Sequence, residues 1–308
     1  MTHTIPVILC FDDRILTGAG VTILSLIGAA QPATAYDIHV MHPGLSKPTI
    51  AALTGLLDGT RHSIVFHEIP ASRFDGVPKN KGSWTEIVYY RLLASEILPD
   101  MDKAIYSDVD VFVCRDLADV FATDLTDTEW AGVAAEANQP STVMHRHFPE
   151  NANPVIVFSG FMVMNLALMR TNDAVSRYFN TIRTIGTRLK FFDLDVLNIA
   201  TPRIARVPFD YVVLEDVMET ADVTQASDYT YLRSVYTAEE LTVARNTPAI
   251  IHFAGPRGKP WQRQAVPPYY AAVMARLPAL LRRNTLRDWR KIWLSRKGRR
   301  ALTTRHGG

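Results

Sequence analysis

Short apolar runs alternate with longer stretches of helical spacing along the first part of the chain. Val7 to Phe11, Ile38 to Met41 and Ile64 to Phe66 read as strands, with helical segments near Gly20 to Ala30 and Lys47 to Leu57 between them. This β-α-β alternation predicts an α/β fold with a mostly parallel sheet. Apolar positions from Thr85 to Leu98 recur at helical spacing, and Pro99 provides the stop. A β-rich run from Ala104 to Val113 follows, interrupted by Asp108 and Asp110. Trp130 to Ala135 and Val155 to Asn165 read as further strands, joined by a polar loop over 138–151 that is expected to cover a cleft. Internal repeats and Gly-Ser linkers are absent from the sequence. The glycines spell neither a phosphate loop nor a dinucleotide fingerprint, which weakens ATPase and dehydrogenase readings.

The carboxylates interrupting the apolar run carry the first chemical signal. Side chains alternate along a strand, so Asp108 and Asp110 are expected on one side, opposite Val109. Two carboxylates facing one point suit a hard cation such as Mg²⁺, and an added imidazole shifts the preference toward Mn²⁺. His252, delivered by the later apolar run Ile250-Ile251-His252-Phe253, is the candidate third ligand. Each element has a plainer alternative: Asp-x-Asp is common in solvated turns, and a histidine at a strand end is often a hydrogen-bonded core residue. In parallel sheets ligands bind beyond the carboxyl ends of the strands, where Asp12, Asp13, Asp108 and Asp110 would all emerge.

Composition places the chain among globular enzymes. It has 308 residues, 47% hydrophobic and 21% charged, enough for a substantial core. The net charge of only +2 gives no argument for a nucleic-acid partner. Cys10 and Cys114 lie in expected strands without metal-ligand spacing, and read as reduced core thiols of a cytoplasmic protein. No stretch approaches the roughly 20 apolar residues of a spanning helix, and no secretion signal is visible.

Six segments in this order resemble glycosyltransferase family 8, which includes bacterial lipopolysaccharide galactosyl- and glucosyltransferases and glycogenin. They are Phe11-Asp12-Asp13, Tyr89-Tyr90-Arg91-Leu92, Tyr106-Ser107-Asp108-Val109-Asp110, Phe158-Ser159-Gly160-Phe161, Asp193-Leu194-Asp195-Val196-Leu197-Asn198, and His252-Phe253-Ala254-Gly255 through Lys259-Pro260-Trp261. The resemblance covers roughly residues 1–265. It implies a GT-A type, Rossmann-like nucleotide-sugar-binding domain with a mixed, mostly parallel sheet, and a retaining, metal-dependent hexosyltransferase. By that resemblance Asp108, Asp110 and His252 would hold Mn²⁺, or Mg²⁺, across the diphosphate of a UDP-glucose or UDP-galactose donor. Asp12 and Asp13 would lie toward the nucleoside, and Arg91 toward the donor sugar or diphosphate. Gly255 would let the backbone approach the phosphates, and Lys259 would meet the departing β-phosphate. Ser159 and Asp193 would touch the sugar, with Asp195 near the reacting carbon.

Three departures from the family pattern stand out. Leu194 replaces a usual Gln between the aspartates, which excludes a nucleophile at that position and favours same-face substitution. Ser159 replaces a common Asn, and the loop between Gly255 and Lys259 is one residue longer, so Arg257 becomes a second candidate for the phosphates. These departures motivate one alternative, a catalytically weak or inactive relative serving as a nucleotide-sugar-binding or scaffold protein; UDP-sugar hydrolysis without an acceptor is a third reading. Residues 266–308 are expected to form a basic amphipathic helical tail at the C-terminus. From Arg276 onward it carries Arg282, Arg283, Arg287, Arg290, Lys291, Arg296, Lys297, Arg299, Arg300 and Arg305 against the single acid Asp288, interleaved with Trp289, Ile292, Trp293 and Leu294. A basic amphipathic helix of this kind suits an anionic membrane surface. It predicts a peripheral enzyme at the inner face of the membrane, acting on a glycan or lipid-linked cell-envelope acceptor.

Overall fold

The structure is a computed structural model that describes residues 3–78, 86–142, 148–255 and 257–282. Among the described residues ten strands form: β1 (His3–Cys10), β2 (Thr34–His42), β3 (Ser63–Glu68), β4 (Lys103–Ser107), β5 (Val111–Val113), β6 (Trp130–Ala137), β7 (Val155–Asn165), β8 (Ala205–Val207), β9 (Val213–Leu214) and β10 (Ile250–His252). Seven make a central sheet in the order β3-β2-β1-β4-β7-β6-β8, and β5, β10 and β9 make a small second sheet. In the large sheet β1 pairs parallel with both β2 and β4, and β2 pairs parallel with β3. β7 runs antiparallel to both β4 and β6, and β6 is parallel to β8. The expected mixed, mostly parallel α/β sheet is therefore the fold.

The near-continuous apolar runs of β1 and β4 follow from burial on both faces. Ile5, Val7, Leu9 and Ile105 point into one core, whereas Ile8, Cys10, Ala104 and Tyr106 point into the other. The helix Leu16–Ala29 covers the first side and lies directly on β5, where Thr22 Oγ1 donates to the Val111 carbonyl at 3.1 Å and Ser25 Oγ accepts from the Val113 amide at 3.1 Å. Gly18 permits this approach, because a β-carbon there would lie 2.6 Å from both the Val109 carbonyl and the Trp261 ring. The strand order reverses between β1 and β4, and ligand crevices open at such a switch point. Register places Leu9 beside Ser107, so Asp12 and Asp108 leave the sheet at the same edge.

Local structure departs from the sequence pattern in four places. The helix expected over 85–98 is a 3₁₀ segment, Glu86–Leu93, with Tyr89 to Leu93 all buried, followed by one short α-helix, Ala94–Ile97. The expected strand 104–113 breaks after Ser107, where the chain leaves the large sheet for the small one. Cys114 lies one residue beyond β5 and is exposed, whereas Cys10 is buried; both are free thiols. The segment expected to be a tail from residue 266 begins as part of the body, with Tyr270, Leu277 and Leu281 in the main core and Thr17 Oγ1 donating to the Leu281 carbonyl. The basic stretch from Arg283 onward lies outside the described residues, as do 143–147 of the expected cover loop.

Candidate active site

Asp108 and Asp110 converge through the break in the strand, not through the alternation of a continuous one. The Asp108 amide donates to the Gly160 carbonyl on β7 at 2.8 Å, and the Asp110 carbonyl accepts from the Phe253 amide just past β10 at 2.9 Å. The antiparallel pairing of β10 with β5 sets His252 beside Val111. As a result His252 Nε2 stands 3.2 Å from Asp110 Oδ1 and 3.6 Å from Asp108 Oδ2. One ligand atom from each of the three residues falls within 4.8 Å of the others.

The set fits a divalent cation. Two carboxylate oxygens and an imidazole nitrogen are a donor set for Mn²⁺ or Mg²⁺, and the cradle around them is kept open by Gly160. A β-carbon on Gly160 would lie 2.6 Å from His252 Cε1 and 2.9 Å from Asp108 Oδ2. The outer atoms of the ligands are held as well. Asp108 Oδ1 accepts from the Tyr106 hydroxyl at 2.7 Å and pairs with Arg91 Nη2 at 3.0 Å, which leaves Oδ2 turned to His252. Burial opposes ionisation of Asp110, yet Lys259 and His252 hold its carboxyl well below the usual carboxylate range. Burial likewise opposes a charged His252, but Asp110 and Asp108 outweigh it and raise the ring above its ordinary value.

Arg91 bridges this centre to a second carboxylate. It is only 6% exposed; Nη1 donates to the Ser159 carbonyl at 2.7 Å and lies 3.2 Å from Asp193 Oδ2, while the guanidinium sits 4.2 Å from the centre of the Tyr106 ring. Burial pushes the Asp193 carboxyl up to about 6, with Arg91 and the Ser159 hydroxyl opposing. Asp195, fully buried on the same helix Asp193–Ala200, is turned to its own helix start. Its Oδ2 accepts from the amides of Lys190 and Phe191 at 2.6 and 2.8 Å, and burial pushes it also to about 6. Phe192, immediately before the helix, takes φ +50°, a strained value for an aromatic residue. Asn198 fastens the helix to β7: its Oδ1 accepts from the Val157 amide at 2.8 Å, and its Nδ2 donates to the Val157 carbonyl at 2.9 Å.

Lys259 closes the other side. Its Nζ pairs with Asp110 Oδ2 and donates to the Phe253 carbonyl at 2.9 Å. Arg257 does not join it. Its guanidinium pairs with Glu219, and with Asp216 at 3.5 Å.

The sequence profile described as Glycosyl transferase family 8 matches residues 6–265. The chain belongs to this family. Among solved structures it resembles the galactosyltransferase LgtC in complex with donor and acceptor sugar analogues, at TM-score 0.73 and 21% identity over 89% of this chain and 97% of that one. It also resembles the bifunctional glycosyltransferase WbbM at TM-score 0.68 and 21% identity, covering 94% of this chain and 51% of that one. The glycosyltransferase GlyE of Streptococcus pneumoniae TIGR4 follows at TM-score 0.62 and 14% identity, covering 96% and 64%. No curated protein sequence matches. The structural likenesses identify the fold as GT-A, and the family profile identifies the chain as a glycosyltransferase.

In this family 8 glycosyltransferase, the remaining sequence-derived positions make local contacts of their own. Asp12 receives the Arg14 amide at 2.9 Å and its Nε at 2.6 Å, and Asp13 accepts from the Thr49 hydroxyl at 3.3 Å. Gly255 has open space at its β-position, and Gly258 takes φ +75°, a conformation that favours glycine. Sequence reasoning assigned no role to Tyr106, Gly160 or Asn198, although all three sit inside the quoted motifs. Their functions depend on contacts between β4, β7 and distant helices, which spacing alone does not reveal. Arg263 and Glu215 lay outside every motif.

Proposed function

We propose that this glycosyltransferase moves a hexose, glucose or galactose, from a UDP-sugar to a hydroxyl of a glycan or lipid-linked cell-envelope acceptor, with retention of configuration. The observation that carries the reading is the convergence of Asp108, Asp110 and His252 around Gly160, with Lys259 and Arg91 at its two sides. These three ligands would hold Mn²⁺ or Mg²⁺, which when bound neutralises charge on a departing diphosphate. Lys259 supplies a cation to the β-phosphate, and Arg91 fixes the orientations of Asp108 and Asp193. Asp193 accepts hydrogen bonds from donor-sugar hydroxyls. Asp195 holds the turn that presents it.

Leu194 offers no lone pair, so a covalent intermediate at that position is excluded. In same-face substitution the acceptor oxygen forms its bond to the anomeric carbon as the bond to the diphosphate oxygen breaks, and the acceptor proton passes to that leaving oxygen. Asp12 and Asp13 would border the nucleoside, and Gly255 and Ser159 the phosphates and sugar. The basic stretch after Arg282 would hold the enzyme at the anionic inner face of a membrane; no helix among the described residues is long and apolar enough to cross one. Leu194 also favours a second reading, nucleotide-sugar binding without turnover. Incubation with UDP-glucose or UDP-galactose, Mn²⁺ and cell-envelope glycolipid separates the readings. Multiple-turnover formation of an α-linked product supports transfer, UDP release without glycoside supports hydrolysis, and binding without either supports a scaffold.

A further inference from the structure

The loop that carries Lys259 is gripped from behind by an ion pair between the partly exposed Arg263 and the buried Glu215, which no motif predicts. Arg263 donates through Nη1 and Nη2 to the two carboxylate oxygens of Glu215, in a fork-to-fork arrangement, and through Nε to the Gly258 carbonyl at 3.1 Å. Glu215 is 2% exposed and follows β9 directly; the parallel pairing of β9 with β10 sets Leu214 beside His252. The register that delivers the imidazole therefore delivers the anchor of the loop one residue later. Gly258, held by its carbonyl and folded with φ +75°, immediately precedes Lys259. On the far side of Gly258, Arg257 pairs with Glu219 and Asp216 of the same short helix, Glu215–Glu219. Two arginines flanking Lys259 thus attach its loop to one acidic helix.

An ion pair on a buried carboxylate contributes little to stability, because desolvation of the carboxylate offsets much of the attraction, whereas its bidentate geometry fixes position closely. We propose that Arg263, backed by Glu215, is a positioning residue that sets Lys259 at the diphosphate, with Arg257 as a weaker second anchor. The inference rests on the nucleotide-sugar reading above. It assigns Arg263 no contact with substrate; its effect passes through the Gly258 carbonyl to Lys259.

The test compares UDP with UMP, which lacks the β-phosphate, by calorimetric titration in Mn²⁺. Arg263→Gln is expected to weaken UDP about tenfold while leaving UMP within about twofold, as Lys259→Met does, and Arg257→Gln to give a smaller loss of the same kind. The double variant Lys259→Met/Arg263→Gln is expected to bind UDP no more weakly than Lys259→Met alone, since both changes remove one interaction. Equal losses for UDP and UMP in Arg263→Gln, or additive losses in the double variant, would overturn the positioning role. A wild-type protein that does not prefer UDP to UMP would overturn the nucleotide-sugar reading and this proposal together.

Discussion

Gly160 and His252 face one another so closely that a β-carbon at 160 would lie 2.6 Å from the imidazole Cε1. The glycine is thus part of the candidate metal cradle although it offers no ligand. Gly160→Ala is expected to lower Mn²⁺ affinity by about tenfold or more, since displaced ligand geometry costs this much in related sites, and to cost about 1–3 kcal/mol through overpacking. Electron paramagnetic resonance titration of Mn²⁺ and urea unfolding measure the two effects. Unchanged Mn²⁺ affinity would remove Gly160 from the account.

Tyr106 directs Asp108 by donating its hydroxyl to Oδ1 at 2.7 Å. Tyr106→Phe keeps the ring against Arg91 and removes only that donor. The expected outcome is a loss of about 1 kcal/mol in stability and a severalfold or greater weakening of Mn²⁺ binding. A variant that binds Mn²⁺ as wild type does would show that Arg91 alone orients the carboxylate.

Asn198 ties the helix carrying Asp193 to β7 through both Val157 backbone groups and also donates to the Leu194 carbonyl at 2.8 Å. Asn198→Ala removes three hydrogen bonds, two of them buried, and should destabilise the fold by about 3 kcal/mol. Chemical denaturation checks this, and a change below about 1 kcal/mol would contradict the clamp.

Asp195 gives a pH signature. Its folded-state pKa is raised by burial from 3.8 to about 6, against the backbone amides that favour its charged form. Between these values the folded state binds more protons than the unfolded state, so this group's contribution to stability falls as pH rises through that window and is constant above it. The sensitivity amounts to roughly 2–3 kcal/mol. Asp195→Asn removes it. The stability of the variant relative to wild type should therefore increase from pH 4 to pH 6 and then level off. Parallel profiles for the two proteins would refute the assignment.

The sequence made the parallel half of the sheet and the metal-ligand candidates legible for a simple reason. Apolar runs buried on both faces announce themselves, and acidic residues interrupting such a run need a partner. The mechanism of convergence was hidden, because Asp108 and Asp110 are brought together by bonds to Gly160 and Phe253, both remote in the chain. Charge on a loop was equally opaque. Arg257 looked like a phosphate ligand until Glu219 and Asp216 claimed it, and Arg263 looked like nothing until Glu215 appeared behind it. Asp195, expected near the reacting carbon, spends one oxygen on the amides just before its own helix.

The central claim is that Asp108, Asp110 and His252 form a metal-dependent diphosphate site. Calorimetric titration of UDP into the purified protein with Mn²⁺, then after chelation, and then into Asp110→Ala with Mn²⁺, tests it most directly. The account predicts binding in the first case and its loss in the other two. UDP binding that survives both chelation and the Asp110→Ala substitution, or no binding with any divalent cation, would contradict it.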